Sequence, residues 1–223
     1  VRGGGLWLTR ALTAGILGSN APSPNPSREG RGIARVTSVN NMVDKESETP
    51  PRNDRGVISF RPVGPEDEGF LREVYASTRA DELALVPWDA AQKEAFVRLQ
   101  FAAQTEHYAK YYPTATHDII LFDDRPVGRL YVARLDEEIR IIDIVLLPQY
   151  RNAGIGTPII QGLMAEAARA GKPLRIYVEM FNPSLRLFQR LGFSSISSVE
   201  EAGYRFLLEW RPAPERHLAT GSQ

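Results

Sequence analysis

The stretch Arg151-Asn152-Ala153-Gly154-Ile155-Gly156-Thr157 carries the first chemistry the sequence offers. An apolar run from Ile139 to Leu147 precedes it and reads as a buried strand. Pro158 to Ala170 follows, with Ile160, Leu163, Met164 and Ala167 at helical spacing. A glycine-containing turn between strand and helix leaves backbone N–H groups pointing outward at the positive helix end. That arrangement holds a phosphate or pyrophosphate without a basic side chain. Two better-known phosphate motifs fail on particular residues. A dinucleotide fingerprint needs a third glycine where Ile159 stands, and a Walker-type loop needs a lysine after Gly156, where Thr157-Pro158 follow.

Asp143 is a second chemical signal, a carboxylate inside a largely apolar strand. It reads either as a base for an acceptor or as an inward polar residue that orders a site. His107 and His117 lack ligand partners at sensible spacing, and the chain has no cysteine, so no metal centre, disulfide or thiol nucleophile is expected.

Both periodicities alternate around these residues. Val57 to Val63 reads as a strand, and Pro65 starts a helix whose Glu66, Asp67 and Glu68 suit its positive N-terminus. A long helix is expected from about Asp89 to Tyr111, with Phe96, Leu99, Ala103, His107 and Tyr111 three or four apart, and Pro113 ends it. Asp118–Phe122 and Pro126–Leu135 form a hairpin across Asp123-Asp124-Arg125. After the glycine turn come a strand over Leu174–Met180, a short helix over Pro183–Leu191, and strands over Ser194–Ser198 and Tyr204–Trp210.

Taken together, these motifs resemble the Gcn5-related N-acetyltransferase (GNAT) superfamily. Arg151-Asn152-Ala153-Gly154-Ile155-Gly156 matches its Arg/Gln-x-x-Gly-x-Gly/Ala pyrophosphate motif. Ile144-Val145-Leu146-Leu147-Pro148 matches its fourth strand, and Asn182 through Leu187-Phe188 to Gly192-Phe193 matches its downstream Asn…Gly-Phe signature. The resemblance covers about 155 residues. It implies an α/β fold with a central mixed, mostly antiparallel sheet of about seven strands, helices on both faces, and strands four and five splayed. It also implies acetyl-coenzyme A as cosubstrate.

In that picture the amides of Arg151, Asn152, Ala153, Gly154, Ile155, Gly156 and Thr157 hold the pyrophosphate. The backbone of Val145 and Leu146 pairs with the pantetheine amides, and Asn182 bonds the pantetheine or a water. The oxyanion goes to a backbone N–H at a bulge in the fourth strand, near Leu146. Asp143 and Glu179 are the candidate bases, each with a bland alternative as an ordering or solvated charge. Glu82, Trp88 and Tyr131 are candidates for the acceptor side, although the aromatic segment Trp88, Tyr108, Tyr111 and Tyr112 reads first as core packing and only second as a cofactor box. Many family members place an acidic tyrosine where this chain has Phe188, which still lines the cofactor arm. The acid role then falls to water, Tyr177 or Tyr131.

Composition sets the remaining bounds. The chain has 223 residues and a formal net charge of zero, from 27 basic and 27 acidic side chains, so no nucleic-acid surface is indicated. No apolar run reaches the roughly 20 residues needed to cross a bilayer. Arg10 interrupts the only secretory-signal candidate, and a cytoplasmic monomer or homodimer acting on a small-molecule or peptide amine is expected. Residues 1–55, with Gly3-Gly4-Gly5 and a Ser/Pro/Asn cluster, read as a disordered or non-native extension. Met42 is the expected natural start. The acetyltransferase domain is expected over 56–212, with a frayed tail over 213–223.

Overall fold

A computed structural model of the chain describes residues 52–53, 56–196 and 205–213. The remainder of the expected extension, with Met42, and the tail beyond residue 213 lie outside the described residues. The sheet begins earlier than the sequence reading placed it. Strand β1 (Arg52–Asn53) pairs with the start of β2 (Gly56–Pro62).

Asp67 closes the turn after β2. Its carboxylate takes both terminal nitrogens of Arg61 at 2.7 Å and the Gly64 N–H at 2.8 Å. A single turn of 3₁₀ helix, Pro65–Asp67, therefore runs into helix α1 (Glu68–Ala84). Helix α2 (Ala90–Tyr111) opens on a reciprocal cap. Asp89 Oδ1 accepts the Gln92 N–H at 2.8 Å, and Gln92 Oε1 accepts the Asp89 N–H at 3.0 Å.

Strand β3 (Thr116–Phe122) turns into β4 (Arg125–Arg134) through Asp123 and Asp124, with φ of 49° and 62°. Two successive positive-φ residues give the hairpin turn that matches sheet twist. Next come β5 (Ile139–Leu146), helix α3 (Gly156–Arg169), β6 (Leu174–Glu179), helix α4 (Leu185–Arg190), β7 (Ser194–Ser195) and β8 (Arg205–Trp210).

The eight strands form one sheet in the order β1-β2-β3-β4-β5-β6-β8-β7. Only the β5–β6 contact is parallel. One face buries Ile159, Ile160, Leu163 and Ala167 of α3 and Phe188 of α4 against Ile58, Val127, Leu130 and Val132. The other buries Leu71 and Tyr75 of α1 and Val97 and Phe101 of α2 against Ile119, while Tyr108 packs with Ala133 and Ile142. Helix α2 thus turns inward one residue away from the face the spacing suggested. Val97, Gln100, Phe101 and Tyr108 are buried, while Leu99 is 67 % and Tyr111 42 % exposed. Both series repeat at helical spacing, and contact with α1 and the sheet selects between them.

Candidate active site

The site exists because β5 and β6 part company. They pair only over Ile139, Ile141 and the residue between them, against Leu174 to Ile176. On the β4 side, Tyr131 faces Asp143 and Val132 faces Ile141, so Ile142 is an extra, bulged residue. A bulge bends its strand and ends regular pairing, and the outer edge of β5 is unpaired beyond it. The bulge lies at Ile142 rather than near Leu146. Alternation along β5 is reset there, four residues before the expected position.

Strand alternation then identifies the groups facing the gap. Leu147 donates its N–H to Val127 at 2.9 Å, and a Cβ on Gly128 would sit 2.1 Å from the Val145 carbonyl. The polar backbone of Val145 therefore points to β4, and the residues presenting theirs to the gap are Ile144 and Leu146. Ile144 takes the place expected for Val145, while Val145 adds a side chain to the wall. The Leu146 carbonyl already accepts Arg151 Nε at 2.9 Å.

Arg151 ties the glycine turn down. Its Nη2 also reaches the Ser77 hydroxyl at 3.2 Å, on α1. Its own N–H donates to Pro148 at 3.2 Å, so Arg151 offers a side chain to this end of the cleft, not the amide expected of it. Beyond it, Asn152 and Gly154 take φ of 57° and 81°, and α3 starts at Gly156 with no side-chain cap. Left-handed backbone at two of three successive positions, ahead of an uncapped helix, is the anion-binding geometry the sequence motif describes.

A cleft of about 210 Å³ fills the splay. Ile144, Ile176, Val178 and Phe188 give it an apolar wall. Arg79, Gln104, Tyr108, Arg129, Asp143 and Tyr177 give it a polar one. Among the sequence candidates, Asp143, Val145, Tyr177, Glu179, Asn182 and Phe188 meet here. Asn182 Oδ1 accepts the Ser184 N–H at 2.9 Å, which fixes the entry to α4. Phe188 is 1 % exposed and packs edge-on to Phe193. Tyr177 stands between the guanidinium groups of Arg140 and Arg205, each 5.4 Å from its ring.

Three acceptor candidates lie elsewhere. Trp88 packs on Phe96 at 5.3 Å, within the α1–α2 core. Tyr131 sits between His117 and Tyr108, at 4.6 and 5.1 Å, and burial pushes its hydroxyl pKa up. Neither residue is part of the cleft lining. Glu82 reaches the cleft only through Arg79, 3.2 Å away. The sequence reading missed Arg79, Gln104, Arg129 and Arg205 as cleft residues, and it left Tyr108 among the packing aromatics. Arg129 had a legible signal, since it is a charge in the apolar stretch Val127–Val132, as Asp143 is in its own strand.

The described residues hold no helix long and apolar enough to cross a membrane and no cluster of potential metal ligands. The fold and cleft define an acyltransferase of the splayed-sheet type. The model of the acetyltransferase (GNAT) family matches residues 78–193, and the chain belongs to that family, whose cosubstrate is acetyl-coenzyme A. No curated protein matches the chain in sequence.

Solved structures share the fold. The PaiA N-acetyltransferase of Thermoplasma acidophilum with coenzyme A is 17 % identical with a TM-score of 0.54, over 70 % of this chain and 99 % of that one. A Salmonella typhimurium acetyltransferase that modifies the N-terminal serine of ribosomal protein L7/L12 is 16 % identical with a TM-score of 0.51, over 70 % and 95 %. An acetyltransferase from Thermus thermophilus is 19 % identical with a TM-score of 0.50, over 70 % and 97 %.

Proposed function

We propose that this enzyme transfers the acetyl group of acetyl-coenzyme A to a primary amine of a small molecule or peptide, by direct attack in a ternary complex. The observation that carries the reading is the two-walled cleft between β5 and β6, with the positive-φ turn at one end and paired charges at the other. The turn and the α3 N-terminus take the pyrophosphate. The free edge at Ile144 and Leu146 takes the pantetheine amides, with the Leu146 carbonyl released by Arg151. The amine enters along the polar wall. Its nitrogen bonds to the thioester carbon as the carbon–sulfur bond breaks, its proton passes to a cleft carboxylate, and the thiolate takes up a proton.

Holding both reactants in line supplies several kcal/mol of the rate enhancement. Backbone N–H groups at the β5 edge stabilise the oxyanion. Tyr177 is the hydroxyl best placed to protonate the thiolate, because Tyr108 is a poor proton donor. Burial, reinforced by Asp143, pushes its pKa far up. Peptide amines are supported as acceptors by the Salmonella relative, which acetylates an N-terminal serine. A cytoplasmic setting fits the cysteine-free sequence.

The test is thiol release from acetyl-coenzyme A against polyamines, aminoglycosides and short peptides with free N-termini, run beside calorimetry with coenzyme A. Turnover of any of these amines supports the proposal. One feature favours a second reading, a non-catalytic acyl-coenzyme A-binding module: Phe188 stands where the family's tyrosine would be, buried and without a hydroxyl. Tight coenzyme A binding with no turnover on the panel would select that reading.

A further inference from the structure

Arg129 of β4 and Asp143 of β5 are charges within largely apolar strands, and they meet. Arg129 of β4 is 4 % exposed. Its Nη2 lies 2.5 Å from Asp143 Oδ2 and 2.7 Å from Gln104 Oε1 of α2. Neither Arg129 Nε nor Asp143 Oδ2 has a well-aligned hydrogen bond, so the contact is held by charge.

The neighbours of Asp143 sharpen the point. Tyr131 of β4 faces it in register, His117 lies beyond on β3, Tyr108 comes down from α2, and Tyr177, Glu179 and Arg79 line the same cleft. Burial holds His117 neutral and keeps the Tyr108 and Tyr131 hydroxyls protonated. Arg129 is therefore the cation in direct contact with Asp143.

A guanidinium cannot shed its proton, so Arg129 needs a counter-charge inside the fold. The acceptor needs two services from the cleft carboxylates, a group to fix its ammonium and a site for its proton. Asp143, in contact with Arg129, suits the first. Glu179 is exposed and lines the same cleft, so it can pass a proton on to solvent.

Building on the amine-transfer reading, we propose that Arg129 is a positioning residue. With Gln104 it holds the Asp143 carboxylate in a fixed position that orients the acceptor's ammonium, while Glu179 takes the proton. The ammonium gives one proton to Glu179, which passes it to solvent. The neutral nitrogen then bonds to the thioester carbon as the carbon–sulfur bond breaks, and its second proton goes, directly or through Tyr177, to the departing thiolate.

The experiment uses the full chain and the most active amine of the panel. Thiol release is followed across the neutral pH range, with coenzyme A affinity and thermal melting as controls. Arg129→Met is expected to lower kcat/KM for the amine about tenfold or more, mainly through KM, with coenzyme A affinity unchanged. Arg129→Lys recovers part of the loss. Gln104→Leu, which frees Arg129 without removing its charge, gives a smaller rise in KM.

Asp143→Asn raises the amine KM and leaves kcat within a few-fold of wild type. Glu179→Gln slows turnover about a hundredfold with the amine KM little changed. Should Asp143→Asn fail to fold, the double variant Arg129→Met/Asp143→Leu leaves no buried charge behind. It is expected to melt near the wild type while showing the raised KM. Wild-type kinetics in Arg129→Met would overturn the proposal, and so would a kcat that collapses with Asp143→Asn but survives Glu179→Gln. A wild type that acetylates none of the amines sinks the amine-transfer reading itself, and the role of Arg129 with it.

Discussion

At the scale of single residues, conformation decides more than chemical type. Gly154 holds φ of 81°, where a side chain is strained, and its turn must let an anion approach the backbone. Gly154→Val is expected to weaken coenzyme A binding about tenfold or more in calorimetry, with strain and steric exclusion acting together. Unchanged affinity would remove the turn from the cofactor site. Asn152, at φ of 57°, is a residue type that tolerates the same region, which is why the motif works with one glycine at its centre. The acid step rests on a different residue. With Phe188 lacking a hydroxyl, Tyr177→Phe should lower kcat about a hundredfold while the KM for acetyl-coenzyme A stays constant. A kcat within a few-fold of wild type would assign the proton to water.

At the scale of elements, the active site is a consequence of one extra residue in β5. The bulge at Ile142 ends the pairing with β6, and the close approach at Gly128 keeps the bent strand against β4. Gly128→Ala puts a methyl group into the Val145 carbonyl, a clash that only backbone movement relieves. The variant is expected to lose about 1–3 kcal/mol in urea unfolding and to bind coenzyme A more weakly, because the free edge of β5 shifts with it. Wild-type affinity in a destabilised variant would separate the edge from the cofactor site. Helix α2 shows how much of an element is legible beforehand. Its ends came out within a residue, since Asp89 and Pro113 act locally. Its inward face did not, because two apolar series run along it and only the neighbours distinguish them.

At the scale of the whole molecule, charge holds the fold closed at one end so that it can open at the other. Glu138 bridges Arg140 and Arg175 at 2.5 and 2.6 Å, and Glu209 bridges Arg175 and Arg211 at 2.6 and 2.5 Å. These bonds fasten the paired base of β5, β6 and β8, below the splay. Acid should loosen the molecule in two stages. Burial lowers the pKa of His117 from 6.5 to about 4, so between those values the unfolded chain binds a proton the folded one refuses, and stability is lost as the pH drops from 6.5 towards 4. Asp67, held at about 2 against an ordinary 3.8 chiefly by Arg61, adds a second loss over that lower window. Urea unfolding at stepped pH measures both. His117→Phe is expected to flatten the first slope and leave the second, and a variant that keeps both slopes would place the first elsewhere.

The sequence by itself determined the strand and helix order, the glycine turn between β5 and α3 and the family, because periodicity, caps and glycine positions act over a few neighbouring residues. It also marked Asp143 as unusual. Only the tertiary structure decided what Asp143 touches. Arg129 lies fourteen positions earlier in the chain and Gln104 on a separate helix, and the three come together through strand register and helix docking. The same holds for the exchange of Val145 for Ile144 at the open edge, since one bulged residue reverses which backbone groups face the cleft.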